Sequence, residues 1–228
     1  MTASLSKFAS YKYLIEYIHL NIYSKIPTIF EGLCFDFSQD SGTTYLAGAD
    51  KYLYRCSRSH NEQHLSSLKA HIGPITKIKY SPFVNNVFLT CSVDWTTKIW
   101  STSTQEEMKS HFTFNSVKSK ATINDVCWSQ LSSTVFALAS SDGKLEVWDI
   151  SESTHDPVVI HDFSVDDSVD KLELTSILFG IQDDILVTGD SVGNVTVFNS
   201  SKLTRETNAS NSSEVQKNRL VNLLNARL

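Results

Sequence analysis

Residues 87–100, VFLTCSVDWTTKIW, align without a gap on residues 135–148, VFALASSDGKLEVW, at a shift of 48 residues. A repeat of fixed period decides the architecture before any single side chain is interpreted. A further step of 48 takes Asp142 to Asp190, inside residues 185–198, ILVTGDSVGNVTVF, where two additional residues separate the aspartate from its aromatic, Phe198. Residues 44–56, TYLAGADKYLYRC, keep the outline with Cys56 in the tryptophan's place and read as a worn copy. Each copy follows a short alternating stretch: LCFDF (33–37), ITKIKYS (75–81), INDVCWS (123–129) and LTSILF (174–179). Period-two runs rich in β-branched and aromatic residues, bounded by Ser, Pro, Asn, Asp and Gly, predict strands. That pattern excludes helical bundles and doubly wound sheets.

The 228 residues are 41% hydrophobic, 11% aromatic and 20% charged, enough apolar surface to bury a core and too much for a disordered chain. Twenty-five acidic residues against 20 basic ones leave a net charge of -5, which offers no general attraction to phosphate backbones or anionic lipid. Neither nucleic acid nor a membrane is expected as a partner. The four cysteines, Cys34, Cys56, Cys91 and Cys127, form no CxxC pair and read as small buried hydrophobes in a reducing compartment. The apolar stretch over residues 11–26 is interrupted by Lys12, Glu16, His19 and Lys25, so neither a secretory signal nor a membrane span is expected there. The sequons at Asn194, Asn208 and Asn211 then have no expected consequence.

A unit of roughly 40 to 48 residues, built as strand, turn, strand, Asp-bearing turn and strand ending in Trp, is one blade of a four-stranded propeller sheet. The expected fold is therefore all-β: a partial WD40-type β-propeller of about four blades, with short helical segments at the N- and C-termini. The expected blades cover residues 31–70, 71–115, 116–165 and 166–200, preceded by an unassigned segment, 1–30. In the second copy Ala70-His71 stands where WD-repeat proteins carry Gly-His, and Ser92, Asp94 and Trp100 follow at the spacing of their buried hydrogen-bonded set. Asp94 is expected to hold one nitrogen of His71, whose other nitrogen engages Ser92, which in turn meets the indole of Trp100. Ser140, Asp142 and Trp148 repeat the pattern without the histidine, as Asp190 and Phe198 do more loosely. This recurrence favours a structural network over a catalytic triad, and no G-x-S-x-G elbow is present.

Other constellations carry less. His60-Asn-Glu-Gln-His64 places its glutamate centrally, unlike H-E-x-x-H or its inverse, so it reads as a polar linker between blades. No glycine-rich phosphate loop occurs, and neither a catalytic residue, a metal, a cofactor nor a small-molecule substrate is expected. The acidic stretch 156–170, with Asp162, Asp166 and Asp167, is a solvated loop or an attraction for a basic partner. Trp95 follows Asp94 where the parallel copy has Gly143, and two readings stay open: an outward partner contact, or packing against the neighbouring blade. Residues 200–213 are a Ser-, Asn- and Thr-rich leash. Beyond it Val215, Leu220, Val221, Leu224 and Leu228 share one helical face, with Asn211 and Glu214 at its start; this helix docks on the propeller's flank or on a partner.

Several runs are more specific than the general WD pattern: GLCFDF (32–37), LAGADKYLYRCS (46–57), GPITKIKYSPF (73–83) and VFLTCSVDW (87–95). They resemble the C-terminal WD-repeat part of dynein intermediate chains, with Cys-Ser closing a degenerate blade and an S-x-D-W turn. Asp125-Val-Cys-Trp128, LEVWDI (145–150), Asp156-Pro-Val158 and GDSVGNVTV (189–197) lean toward the axonemal, inner-arm two-headed type. The resemblance covers about residues 31–200. It implies a non-catalytic subunit whose propeller grips the tail of a dynein heavy chain, alongside other intermediate and light chains. Its implied place is the cytoplasm and cytoskeleton, in the axoneme of a cilium or flagellum. The other class of function the pattern allows is a generic WD40 adaptor, serving cytoplasmic dynein cargo, trafficking or a ubiquitin ligase.

The family's long N-terminal half, with its light-chain motifs, has no counterpart here, and its ring has more than four blades. An incomplete chain is the expectation. Residues 1–30, dense in Tyr and Ile, are a damaged blade, a partner-binding strand or a gene-model error.

Overall fold

The computed structural model describes residues 32–38, 44–59, 64–102, 107–115, 120–163, 172–181, 184–200 and 212–226. The expected N-terminal helical segment, Asp166, Asp167 and most of the leash lie outside these residues. Among the described residues, four antiparallel sheets follow one another along the chain. The first holds β1 (Gly32–Phe37), β2 (Thr44–Ala49), β3 (Tyr52–Ser57) and β4 (Ser66–Lys69). The second holds β5 (Ile75–Tyr80), β6 (Val87–Ser92), β7 (Thr96–Thr102) and β8 (Met108–Asn115). The third holds β9 (Ile123–Trp128), β10 (Val135–Ser140), β11 (Lys144–Asp149) and β12 (Val159–Asp162), and the fourth has three strands, β13 (Leu174–Phe179), β14 (Ile185–Asp190) and β15 (Val195–Asn199). Among the described residues one helix, α1 (Ser213–Asn225), follows.

In every sheet the strands pair in sequence order, and the first strands pack in turn, β1 on β5, β5 on β9 and β9 on β13. This is the radial arrangement of propeller blades, an arc of four. Because a middle blade is covered on both faces, its central strands lose the half-exposed alternation of a surface sheet. All six residues of β6 and of β10 are buried. On β6, Phe88 faces the first sheet with Leu46, Ile78 and Trp100, while Val87, Leu89 and Cys91 face the third. On β10, Phe136 and Leu138 face the second sheet, while Val135, Ala137 and Ala139 meet Leu174, Ile177 and Phe179 of the fourth.

Polar side chains on the first strands tie each blade to the next, a feature that the sequence pattern does not reveal. Cys34 Sγ donates to the carbonyl of Ile75 at 3.7 Å, Thr76 Oγ1 to that of Ile123, and Asn124 Nδ2 to that of Leu174 at 2.8 Å. Carboxylates do the converse: Asp36 accepts the Tyr80 N–H at 2.8 Å, and Asp125 that of Ile177 at 3.1 Å. Each bond satisfies a first-strand group that its own sheet leaves unpaired at this edge. The series stops at the fourth sheet, whose outward Leu178, Val195 and Val197 are exposed.

The helix settles the alternative left open above in favour of the flank. Leu220 and Leu224 join the core between the second and third sheets, with Phe112, Phe114, Phe136 and Trp148. Ser212 caps its N-terminus by accepting the N–H of Val215, so the cap is not Glu214, and Asn211 lies outside the described residues. Gln216, which no periodicity argument singles out, accepts the buried N–H of Ser133 through Oε1 at 3.0 Å, and its carbonyl accepts from Ser133 Oγ at 2.7 Å.

Candidate functional site

The residues expected to form a network meet at the corner between β6 and β7. Asp94 lies in the turn after β6, and both of its oxygens are used. They accept from His71 Nδ1 (3.1 and 3.2 Å), from the Ile72 N–H (2.8 Å), and from the N–H and hydroxyl of Thr96 (3.1 and 2.6 Å). A carboxylate only accepts, so Nδ1 carries the proton, and in the neutral imidazole Nε2 accepts. Its partner is Thr90 Oγ1, at 2.7 Å, and the same oxygen accepts from the Trp100 indole at 2.9 Å.

Here the structure corrects the expectation that Ser92 joins His71 to Trp100. Thr90 and Ser92 are two apart on one strand and share a face, but the imidazole reaches inward to the level of Thr90. Ser92 Oγ instead donates to the Gly73 carbonyl at 3.1 Å and accepts the Asp94 N–H at 3.1 Å. It fastens the turn and has no contact with the imidazole that would make it a nucleophile. Replacing Thr90 with valine preserves shape but strands the indole N–H, an expected loss of about 1–3 kcal/mol. NMR checks the assignment: Thr90→Val shifts the Trp100 indole proton and Ser92→Ala leaves it in place, whereas the reverse pattern returns the role to Ser92.

Burial opposes ionisation of Asp94, but the bonds from His71, Thr96 and the Ile72 N–H prevail and hold its carboxyl well below its ordinary 3.8. A carboxyl depressed in the folded state adds stability that is present above its unfolded value and lost as pH falls toward the folded one. Between pH 5 and 2, on the order of the carboxylate range, the parent is expected to lose stability more steeply than Asp94→Asn. Urea melts at stepped pH test this, and parallel curves would refute it.

The matching corner of the third sheet is built differently. Ser140 Oγ donates to Asp142 and accepts the Lys144 N–H, and Asp142 pairs with the Lys144 ammonium. Leu138 stands where the second sheet has Thr90, so the Trp148 indole needs another acceptor. It donates to Glu146 Oε2 at 3.1 Å.

In the fourth sheet the alignment at 48 is corrected to 50. Asp190 pairs with Leu174 as Ser92 pairs with Ile75 and Ser140 with Ile123. It therefore holds the serine's place, and Val192 holds that of Asp94 and Asp142. A shift of 50 aligns Gly143 with Gly193 and Trp148 with Phe198 without any insertion. Asp190 performs both functions alone, accepting the N–H groups of Val192 (3.0 Å) and Asn194 (2.8 Å). The Phe198 ring carries no N–H to satisfy and packs on Phe163 and His161.

Trp95 points outward from the same turn, with Lys120 Nζ 5.7 Å from its ring centroid. Burial raises the thiols of Cys34, to about 12, and of Cys91 and Cys127 above their ordinary value, which keeps them protonated and poorly nucleophilic. Among the described residues no three His, Cys, Asp or Glu side chains are placed to hold a metal ion.

Comparison with solved structures places the fold. The β-propeller domain of Cps50 (Swd1) from Myceliophteria thermophila superposes with a TM-score of 0.63 at 15% identity, over 75% of this chain and 54% of that one. The computationally designed protein Ika8 gives 0.56 at 21% identity, over 75% and 46%. Among curated proteins, human dynein axonemal intermediate chain 4 is 38% identical over 168 residues, 73% of this chain and 18% of that protein. Its Danio rerio counterpart is 35% identical over 208 residues, 88% and 25%. Dynein intermediate chain 2, ciliary, of Heliocidaris crassispina is 30% identical over 165 residues, 72% and 22%. The chain thus spans a quarter or less of the length of these relatives. Residues 55–199 match the family model described as the dynein axonemal intermediate chain 3 WD40 domain. With that match running from the worn first blade through β15, the chain belongs to the dynein axonemal intermediate chain family, of which it carries WD40 blades.

Proposed function

We propose that this protein is a non-catalytic scaffold subunit of an axonemal dynein, holding the heavy-chain tail and supporting ciliary or flagellar movement. The observation that carries this is the family match over residues 55–199. The site chemistry supports it. His71, Thr90, Asp94 and Trp100, the groups most able to do chemistry, are bonded to one another around the corner of a blade. They stiffen a platform. The exposed Trp95 beside them is the aromatic side chain proposed to meet a partner.

Affinity purification of the tagged chain from ciliated cells tests the proposal. The expected result is co-purification of a dynein heavy chain, with the tagged chain in the axoneme. Recovery with a ubiquitin-ligase core and no heavy chain would overturn it.

A further inference from the structure

Trp95 occupies a backbone conformation that the third and fourth sheets give to glycine. Its φ is +68°, and the residues at the matching corners are Gly143 at +76° and Gly193 at +97°. Left-handed φ costs a side chain with a Cβ conformational energy, and such strain persists where it serves a purpose. Burial supplies none here: Trp95 is 43% exposed, whereas Trp100, Trp128 and Trp148 are 4%, 3% and 0% exposed. The corner of the third sheet has no room for a side chain, since a Cβ on Gly143 would lie 2.8 Å from the Leu172 carbonyl oxygen. Only the second sheet presents an indole at this position.

The surroundings of Trp95 define what it can meet. Asp94 binds the Ile72 N–H and so holds the 71–73 loop to the 93–95 turn. Ile72, 86% exposed, and Val93 therefore stand at the same corner as the indole. Lys120 lies over the Trp95 ring, is itself exposed, and takes part in none of the ion pairs among the described residues. An apolar ridge with an exposed ammonium at its side fits a partner that is apolar and acidic.

We infer that this corner binds a short protein segment carrying an apolar side chain beside a carboxylate. The apolar group packs on Trp95 and Ile72, and the carboxylate pairs with Lys120. An aromatic at such a point concentrates binding energy, while the ion pair sets salt dependence and association rate. The inference rests on the scaffold function proposed above and names the chemistry of its contact, the occupant being a segment of the heavy-chain tail.

The experiment titrates the immobilised full chain with the recombinant tail of the heavy chain that co-purifies with it, using the parent, Trp95→Gly, Lys120→Glu and Val192→Ser. Trp95→Gly is the decisive variant, because glycine accepts the left-handed φ and cannot destabilise the turn through strain. The expected result is a loss of affinity on the order of ten-fold for Trp95→Gly, with a melting temperature equal to or above the parent's. Lys120→Glu weakens binding and flattens its salt dependence, and Val192→Ser at the fourth-sheet corner binds as the parent does. Parent-like affinity of Trp95→Gly overturns the contact and leaves the heavy-chain proposal standing. A fall in both its affinity and its melting temperature shows Trp95 to be a packing residue, which also overturns the contact. Failure of the parent to bind any heavy-chain tail removes the proposal and the contact together.

Discussion

Trp148→Ala is expected to lower stability by about 3–5 kcal/mol. The indole is fully buried between the second and third sheets. It stacks on Phe136 at 6.3 Å with an interplanar angle of 2° and meets the edge of Phe114 at 5.0 Å. Alanine leaves a cavity that rigid strands on both sides cannot close. It also deprives the buried Glu146 carboxylate of the indole N–H. Trp148→Phe keeps the stack and loses the donor, so its smaller cost, about 1–3 kcal/mol, separates the two contributions. Trp100 stacks on Phe88 with nearly the same geometry, 6.3 Å and 6°, at the seam between the first and second sheets, and its alanine variant is expected to fall in the same range. Urea denaturation decides the matter; a midpoint within experimental error of the parent for either tryptophan would refute the packing described.

Removing the C-terminal helix should have a still larger effect, although it contributes no strand. Leu220→Ala alone is expected to cost about 2–5 kcal/mol, the usual range for a fully buried leucine. Truncation after Ser200 removes Leu220 and Leu224 together, uncovers Phe112 and Phe114, and strands the buried Ser133 N–H that Gln216 now accepts. The truncated chain is expected to melt well below Leu220→Ala and to self-associate through the uncovered seam in light scattering. If it stays monomeric and melts with the parent, the helix is an ornament and the core between the second and third sheets is complete without it.

The sequence made the strand-by-strand plan of the blades legible. Alternation shows where strands run, Asp and Gly show where they turn, and the repeated aromatic shows where each third strand passes the core. The network was half legible. His71, Asp94 and Trp100 carry recognisable spacing, but Thr90 and Ser92 lie on the same face of β6, and a period of two says nothing about how deep an imidazole reaches. The frame of the last blade was misread for a related reason. Asp190 looks like a turn aspartate because of its side chain, and only the pairing of β13 with β14 shows that it ends a strand in a serine's place.

Taken alone, the order of residues determined the blade count, the corners of the second and third blades and the family, because each is written in short runs of consecutive residues. Folding in three dimensions decided the rest: which hydroxyl meets the histidine, which carboxylate answers Trp148, and where the helix rests. Those outcomes depend on the depth and register of groups from separate segments, such as Gln216 against Ser133, 83 residues apart. No local periodicity encodes such a distance, since it is set when packed sheets leave one position, and not its neighbour, within hydrogen-bonding reach.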